Sequence, residues 1–119
     1  MDINDLQELV YENAARKGFY NGHVNIRSMI NEIHNEVEEA LVEFNKARLN
    51  TYLDHNSTPP GKPCGLPSEL ADIIIRTLSL SKHLGINIER ELARKHNYNL
   101  IRNYKHAGEK GKIDKKEIG

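Results

Sequence analysis

The chain has no tryptophan, only one cysteine, and aromatic residues at just 6% of its 119 positions. Because Cys64 is alone, neither an intrachain disulfide nor a zinc site built on several cysteines can form. The longest aliphatic run, Ile73 to Ile75, is far shorter than the ~18 residues that a membrane-spanning helix needs. The acidic N-terminal sequence MDINDLQEL lacks the apolar stretch of a secretory signal. We therefore expect a cytoplasmic protein with no membrane partner.

Net charge is also lacking, since 17 basic and 17 acidic residues cancel. This balance argues against a general nucleic-acid-binding protein. The charges are unevenly distributed along the chain, because most bases lie near the C-terminal end while residues 1–54 are rich in acids. The length and the 38% hydrophobic content indicate one ordinary domain. We assign this domain to residues 1–107 and expect residues 108–119 to form a charged, flexible tail.

Four segments space their apolar residues three and four apart, as helices do, and no segment predicts a strand. These predicted helices span residues 2–17, 25–48, 66–84 and 87–105. Asn25 and Asn87 are expected N-caps, and Pro67 suits the first turn of the third helix. All four prolines lie within residues 50–67, which we therefore expect to form a long loop. The predicted fold class is all-α.

Carboxylates form rows on two of the predicted helices. The second helix aligns four glutamates along one edge: Glu32, Glu36, Glu39 and Glu43. The third helix is apolar around most of its circumference, and Glu69 and Asp72 share the narrow remaining arc with Arg76. Desolvated carboxylates require partners. Solvation of an exposed acidic face is one explanation for the rows, and pairing with Arg76 is another.

Metal binding is the third explanation, and it accounts for the most residues. The pairs Glu36/Glu39 and Glu69/Asp72 are each one helical turn apart and can converge on hard divalent cations, which prefer oxygen ligands. Mg²⁺ is the expected ion, with Mn²⁺ as an alternative. The fourth helix aligns cationic and amide side chains suited to the phosphates that such ions bind: Lys95, Asn99 and Arg102. The pattern predicts a polyphosphate site.

Other catalytic sites are excluded by motifs that the sequence lacks. A di-iron carboxylate bundle needs Glu-x-x-His on two helices, and no acid is followed by histidine at that spacing. The six histidines also form no i,i+4 pair, so we expect them to be surface or packing residues. Neither a Gly-x-x-x-x-Gly-Lys loop nor a Gly-x-Ser-x-Gly elbow is present. P-loop and serine-hydrolase chemistry are therefore not expected.

Three motifs together resemble the MazG-like all-α nucleoside triphosphate pyrophosphohydrolases. They are Glu36-x-x-Glu39, Glu69-x-x-Asp72, and the fourth-helix series Lys95-x-x-Tyr98-Asn99-x-x-Arg102-x-Tyr104-Lys105-His106. The resemblance implies a four-helix bundle that assembles as a dimer or dimer of dimers and hydrolyses (d)NTP to (d)NMP and pyrophosphate with Mg²⁺. It implies four metal ligands, Glu36, Glu39, Glu69 and Asp72. It also implies nucleotide contacts by Lys95, Asn99 and Arg102.

The chain departs from that family's pattern in three places. Asn35 stands where the family's motif often has an acid, and Asn103 stands where proline is frequent. The interval between the acidic motifs, residues 40–68, is long at 29 residues. None of these departures removes a predicted ligand.

The functional hypothesis is metal-assisted attack of water on the triphosphate, with Glu39 or Glu43 accepting the proton. Two alternatives remain: a non-catalytic helical oligomer that binds nucleotide or metal, and a phosphoribosyl-ATP pyrophosphohydrolase. The apolar circumference of the third helix also predicts self-association, with a homodimer as the minimum and a homotetramer as the larger possibility.

Overall fold

The computed structural model describes residues 1–102, which contain four helices and a two-stranded sheet. The elements are α1 (Ile3–Arg16), α2 (Ile26–Asn45), β1 (Tyr52–Asp54), β2 (Lys62–Cys64), α3 (Leu66–His83) and α4 (Ile88–Ile101). The prediction of a mainly helical chain is therefore confirmed. The last predicted turn of the fourth helix and the predicted tail, residues 108–119, lie outside the described residues. No helix within residues 1–102 combines the length and the apolar character required to cross a bilayer.

The chain divides into two compact units, one of residues 1–88 and one that begins at residue 89. Nearly all of α4 belongs to the second unit, and each unit is described by itself. In the first unit, the predicted helix starts agree with the observed caps. The side chain of Asp2 accepts a hydrogen bond from the Asp5 N–H (2.8 Å), and that of Asn25 accepts one from the Ser28 N–H (3.1 Å). These bonds satisfy backbone donors that a helix start otherwise leaves unpaired.

Helix α3 is the centre of the first unit, because α1 and α2 each pack against it. Four consecutive residues, Leu78 to Ser81, are buried, so this turn of α3 is covered on every side. Elsewhere the apolar circumference of α3 is open, since Leu70, Ile74 and Ile75 are 41–52% exposed. On α2, Ala40 is buried beside Glu36. Four larger apolar residues of α2 lie on another face and remain about half exposed: Ile30, Val37, Leu41 and Phe44.

Buried polar side chains attach α1 and its following turn to α3. Gln7, only 4% exposed, donates through Nε2 to Ser81 Oγ (2.8 Å) and to the Ile86 carbonyl (3.0 Å). The hydroxyls of Tyr20 and Ser79 share a 2.6 Å hydrogen bond. The Tyr20 ring also stacks on His83, with centroids 4.6 Å apart, so this histidine is a packing residue. Such bonds have directional requirements that aliphatic packing lacks, and they fix the register of α1 on α3.

The prediction of a strandless loop over residues 50–67 is wrong in one respect. Strands β1 and β2 pair antiparallel, with Leu53 opposite Pro63 and Asp54 opposite Lys62. Proline is tolerated because each strand of a two-stranded sheet has one edge with no ladder to complete. The Ser57 hydroxyl supports the hairpin tip by donating to the Asp54 carbonyl (2.7 Å) and accepting from the Lys62 N–H (3.1 Å). Strands of three residues are too short to show an alternating pattern in the sequence.

Gly65 closes this hairpin and starts α3. Its φ is +101°, a value that side-chain-bearing residues rarely adopt. A Cβ atom at this position would collide with the carbonyl oxygen of Asn50. The next residue donates its N–H to the Arg48 carbonyl (2.8 Å), so the start of α3 lies against the end of α2. The absence of a side chain at Gly65 therefore brings the two acid-bearing helices together.

We predict that Gly65→Ala lowers the free energy of unfolding by about 2–4 kcal/mol, because backbone strain and the collision with Asn50 act together. Gly61→Ala is the matched control, since Gly61 also has a positive φ (+88°) but open space where the Cβ would lie. Gly61→Ala should lower the free energy of unfolding by about 1–2 kcal/mol, because only the unfavourable backbone conformation contributes. Urea unfolding of both variants measures the difference, and equal losses would contradict the role assigned to the close approach.

Candidate functional site

Three carboxylates from two helices converge within the first unit. Glu36 on α2 and Glu69 and Asp72 on α3 each offer an oxygen, and these oxygens all lie within 4.8 Å of one another. Glu69 and Asp72 are three residues apart and therefore share one face of α3. This acidic triad is the one group of three or more metal-ligating side chains found within residues 1–102. The sequence-based prediction that the two motifs meet agrees with this arrangement.

Two oxygens of the triad are buried without a hydrogen-bond partner, namely Glu36 Oε2 and Glu69 Oε2. Glu36 is only 7% exposed, and its other oxygen accepts a 2.7 Å hydrogen bond from Arg76 Nε. Carboxylate oxygens removed from water are costly unless a donor or a cation satisfies them. An all-oxygen donor set with unsatisfied lone pairs fits a hard divalent cation such as Mg²⁺ or Mn²⁺.

The pKa values of the cluster indicate surplus negative charge. Burial, together with the neighbouring carboxyl of Glu39, raises the pKa of Glu69 to about 7. Burial also raises the pKa of Asp72, with a further contribution from Glu36, and Arg76 and Lys62 counteract this shift. The neighbouring carboxyl of Glu36, together with burial, raises the pKa of Glu39. Since Arg76 is one cation among several acids, the protein alone leaves this charge incompletely neutralised.

The two residues predicted to accept a proton have different surroundings. Glu39 is exposed but borders the triad, since its carboxyl interacts with those of Glu36 and Glu69. Glu43, one turn further along α2, is paired with Arg48 at 3.6 Å. Its second oxygen, Oε2, is buried without a hydrogen-bond partner. Of the four predicted metal ligands, three therefore form the triad and Glu39 lies beside it.

A cavity of about 370 Å³ adjoins the triad, lined by residues of α1, α2, α3 and the turn after α1. Glu36, Asp72 and Arg76 form its charged part. Away from these charges, its lining includes the aromatic side chains of Phe19 and Tyr20. Asn13, Lys17 and Ser79 add polar groups to the wall. The cavity thus combines anion- and cation-binding groups with aromatic surface.

The residues predicted to contact nucleotide lie in the second unit. Lys95 and Asn99 are on α4, and Arg102 follows it directly. The Lys95 ammonium lies 5.8 Å from the centre of the Tyr98 ring, a cation–π contact within α4. The Arg102 N–H donates to the Tyr98 carbonyl (2.9 Å) and continues the helical pattern. The nucleotide-contacting role of all three residues stays a prediction.

Some residues near the triad were not identified as site residues from the sequence. Phe19 and Tyr20 lie in the turn after α1, and no sequence pattern connects that turn to acids on α2 and α3. Lys62 was assigned to a loop, yet its charge acts on Asp72. Arg76 was considered only as a pairing partner for the acids. Its i,i+4 spacing from Asp72 was the available signal that it faces the same cavity.

No family model matches the chain, and no significant match is found to a curated protein or to a solved structure. The resemblance to MazG-like enzymes therefore depends on the motif residues alone.

The stability of the metal-free protein should depend on the protonation of Glu69. Its folded-state pKa of about 7 exceeds the ordinary 4.5, so the folded protein binds this proton more tightly than the unfolded chain does. The stabilisation that this bound proton gives the folded state is fully present below pH 4.5 and is lost as the pH rises through 7. Relative to wild type, Glu69→Gln should gain about 1–3 kcal/mol in free energy of unfolding between pH 5 and 7.5.

Urea unfolding in EDTA at several pH values measures this effect. Glu12→Gln is the control, because Glu12 is an exposed acid of α1. Its difference from wild type should change little with pH. A pH-independent difference for Glu69→Gln would contradict the raised pKa.

Proposed function

We propose that this protein is a Mg²⁺-dependent nucleotide pyrophosphohydrolase of the MazG-like kind, acting in the cytoplasm on (d)NTP to give (d)NMP and pyrophosphate. The observation that carries the proposal is the acidic triad, two of whose buried oxygens have no hydrogen-bond partner. Such an arrangement is costly in the apo protein and becomes favourable when a divalent cation is bound. The adjoining cavity, at about 370 Å³, falls within the size range of small-molecule sites and supports a ligand here.

Glu36, Glu69 and Asp72 would hold the cation, and Glu39 is positioned beside them as the fourth acid of the motif. A bound Mg²⁺ or Mn²⁺ would neutralise phosphate charge and lower the pKa of the attacking water. We assign the triphosphate contacts on α4 to Lys95, Asn99 and Arg102, as the resemblance implies. Their guanidinium, ammonium and amide donors suit phosphate oxygens.

Hydrolysis requires a water oxygen to bond to phosphorus while the bond between the α- and β-phosphates breaks and pyrophosphate leaves. The water's proton needs an acceptor. We assign this role to Glu39 rather than Glu43, because Glu39 borders the triad whereas Glu43 is paired with Arg48. Its exposure leaves it accessible to water. Phe19, which is half exposed, offers aromatic surface on which a nucleobase can stack, and Asn13 offers amide hydrogen bonds.

We further propose that the working unit is a homodimer at minimum, with helices of two copies completing four-helix bundles and a dimer of dimers as the larger form. Buried apolar residues in the described chain are limited to Ala40, Leu78 and Leu80. Meanwhile an apolar stripe of α2 is 46–58% exposed, formed by Ile30, Val37, Leu41 and Phe44. An exposed apolar stripe of this kind is typical of a subunit interface.

Activity depends on the triad if the proposal is right. Asp72→Asn and Glu36→Gln should each reduce Mg²⁺-dependent pyrophosphate release by at least 100-fold, because each removes a ligand charge. Alanine at Glu39 should also abolish activity. Circular dichroism should show that the variants remain helical, and Glu38→Gln should retain wild-type turnover as the control.

A panel of dNTPs, NTPs and phosphoribosyl-ATP, assayed with Mg²⁺ and with EDTA, tests the function itself. Release of pyrophosphate from nucleoside triphosphates supports the proposal. A rise in melting temperature without turnover would instead indicate a non-catalytic nucleotide-binding oligomer. Turnover of phosphoribosyl-ATP alone would indicate the related hydrolase.

The apolar stripe can be tested with two valines of equal exposure on α2. Val37 and Val42 are both 46% exposed, but they lie about 140° apart around the helix, and only Val37 belongs to the stripe. Val37→Lys should shift the protein towards monomer, whereas Val42→Lys should leave the assembly intact. Light scattering at micromolar concentration measures both. A wild-type species of only 13.6 kDa would contradict self-association.

A further inference from the structure

The guanidinium of Arg76 is held at Nε, while its terminal nitrogens make no hydrogen bond within residues 1–102. It lies on α3 one turn after Asp72, and its Nε donates a 2.7 Å hydrogen bond to Glu36 Oε1. Nη1 is 3.9 Å from Glu32 Oε2, which is too long for a hydrogen bond. Within residues 1–102, neither terminal nitrogen donates a hydrogen bond, and the side chain is 33% exposed. The guanidinium is therefore held in place with four N–H groups still available.

Arg76 also borders the cavity. Arg76 lines it together with Glu36 and Asp72, so the guanidinium and two members of the triad border the same space. An arginine whose only task was to neutralise the acids would use both of its terminal nitrogens on them, because bidentate pairing is the stronger geometry. Here a single nitrogen, Nε, bonds to a single oxygen of Glu36. The remaining donors are left for a ligand.

Charge also favours a ligand of negative sign. Glu36 presents one oxygen to Arg76 and keeps the other, Oε2, buried and without a partner. A cation bound by the triad would use this second oxygen, which would place two positive groups on one carboxylate. Such groups repel each other unless an anion contacts both. A phosphate has several oxygens and can contact both at once.

We propose that Arg76 is a substrate-binding residue, which keeps Glu36 through Nε and donates from its terminal nitrogens to a phosphate oxygen of the ligand. The inference rests on the proposed function and adds a phosphate contact from α3 to those assigned to α4. If Arg76 serves only to orient Glu36, its removal weakens cation binding. If it binds phosphate, its removal weakens phosphate binding and leaves the affinity for the cation unchanged or higher, since a repelling charge has gone.

The experiment measures two affinities by titration calorimetry on the full chain. The probes are Mn²⁺ alone and inorganic tripolyphosphate in saturating Mg²⁺. Arg76→Gln should weaken tripolyphosphate binding about 10- to 100-fold, the usual size for losing a charge-assisted hydrogen bond. Its Mn²⁺ affinity should be equal to or tighter than wild type. Arg27→Gln, at an exposed arginine of α2, is the control and should change neither affinity.

Arg76→Lys keeps a charge beside Glu36 but lacks the planar donors, so it carries the test if Arg76→Gln fails to fold. We expect it to weaken tripolyphosphate binding about 3- to 10-fold with Mn²⁺ affinity unchanged. In steady-state assays the variants should show a raised KM for the nucleotide. Parallel losses for Mn²⁺ and tripolyphosphate, or wild-type tripolyphosphate affinity once metal is saturating, would overturn the inference.

Failure of this inference can be distinguished from failure of the proposed function. If wild type hydrolyses nucleotides and the Arg76 variants bind tripolyphosphate normally, only the inference fails. If wild type binds tripolyphosphate without turnover, the proposed enzyme activity fails, and weakened binding by the Arg76 variants still supports the phosphate contact. If wild type neither binds tripolyphosphate nor hydrolyses nucleotides, both are overturned.

Discussion

The burial of like charges against one another is the constraint on which this structure depends. Oxygens of Glu36, Glu69 and Asp72 lie within 4.8 Å. At an effective dielectric constant of ~20, two unit charges at that separation repel by about 3 kcal/mol. Arg76 relieves part of this repulsion through one hydrogen bond to Glu36. Replacing buried charges by apolar residues is often neutral or stabilising, so the acids add little to the stability of the helix pair, and under the proposed function they serve to bind a cation.

The scaffold holds this unfavourable cluster with contacts on either side of it. Helix α3 carries two of the three acids and is fixed to α1 by the buried side chain of Gln7. At its other end, the hydrogen bond from Leu66 to Arg48 holds it against α2. The acids therefore lie between two anchored ends of the same helix.

Much of this arrangement could be predicted from the sequence, because helical periodicity is local. Spacing alone places Glu69 and Asp72 on one face of α3, and the caps at Asp2 and Asn25 follow from residue type. The contact between α2 and α3 was inferred from the cost of burying unpaired acids, so in this case the sequence indicated a tertiary contact. The bounds of the helices followed with errors of a few residues.

Other features depend on contacts between distant segments and could not be predicted in this way. The hairpin has three-residue strands, too short for a period, and its closure requires Gly65 beside Asn50. The cavity joins Phe19 and Tyr20 to acids on other helices, and no local pattern encodes that proximity. Helical periodicity showed which apolar residues of α2 share a face, but it did not indicate which face of the helix packs against α3. In the structure Glu36 is buried while Val37 is half exposed.

The hairpin between α2 and α3 allows these two helices to lie close together although many residues separate them along the chain. The connection between α2 and α3 starts at Arg48, and the hydrogen bond from the Leu66 N–H to the Arg48 carbonyl joins its two ends. The intervening residues therefore form a loop whose ends are held together. Adding or deleting residues at its tip, around Ser57, would lengthen or shorten the loop without moving either helix. The number of residues between the two acidic motifs therefore does not set the distance between their side chains, and a long interval in this chain is compatible with acids that lie close together.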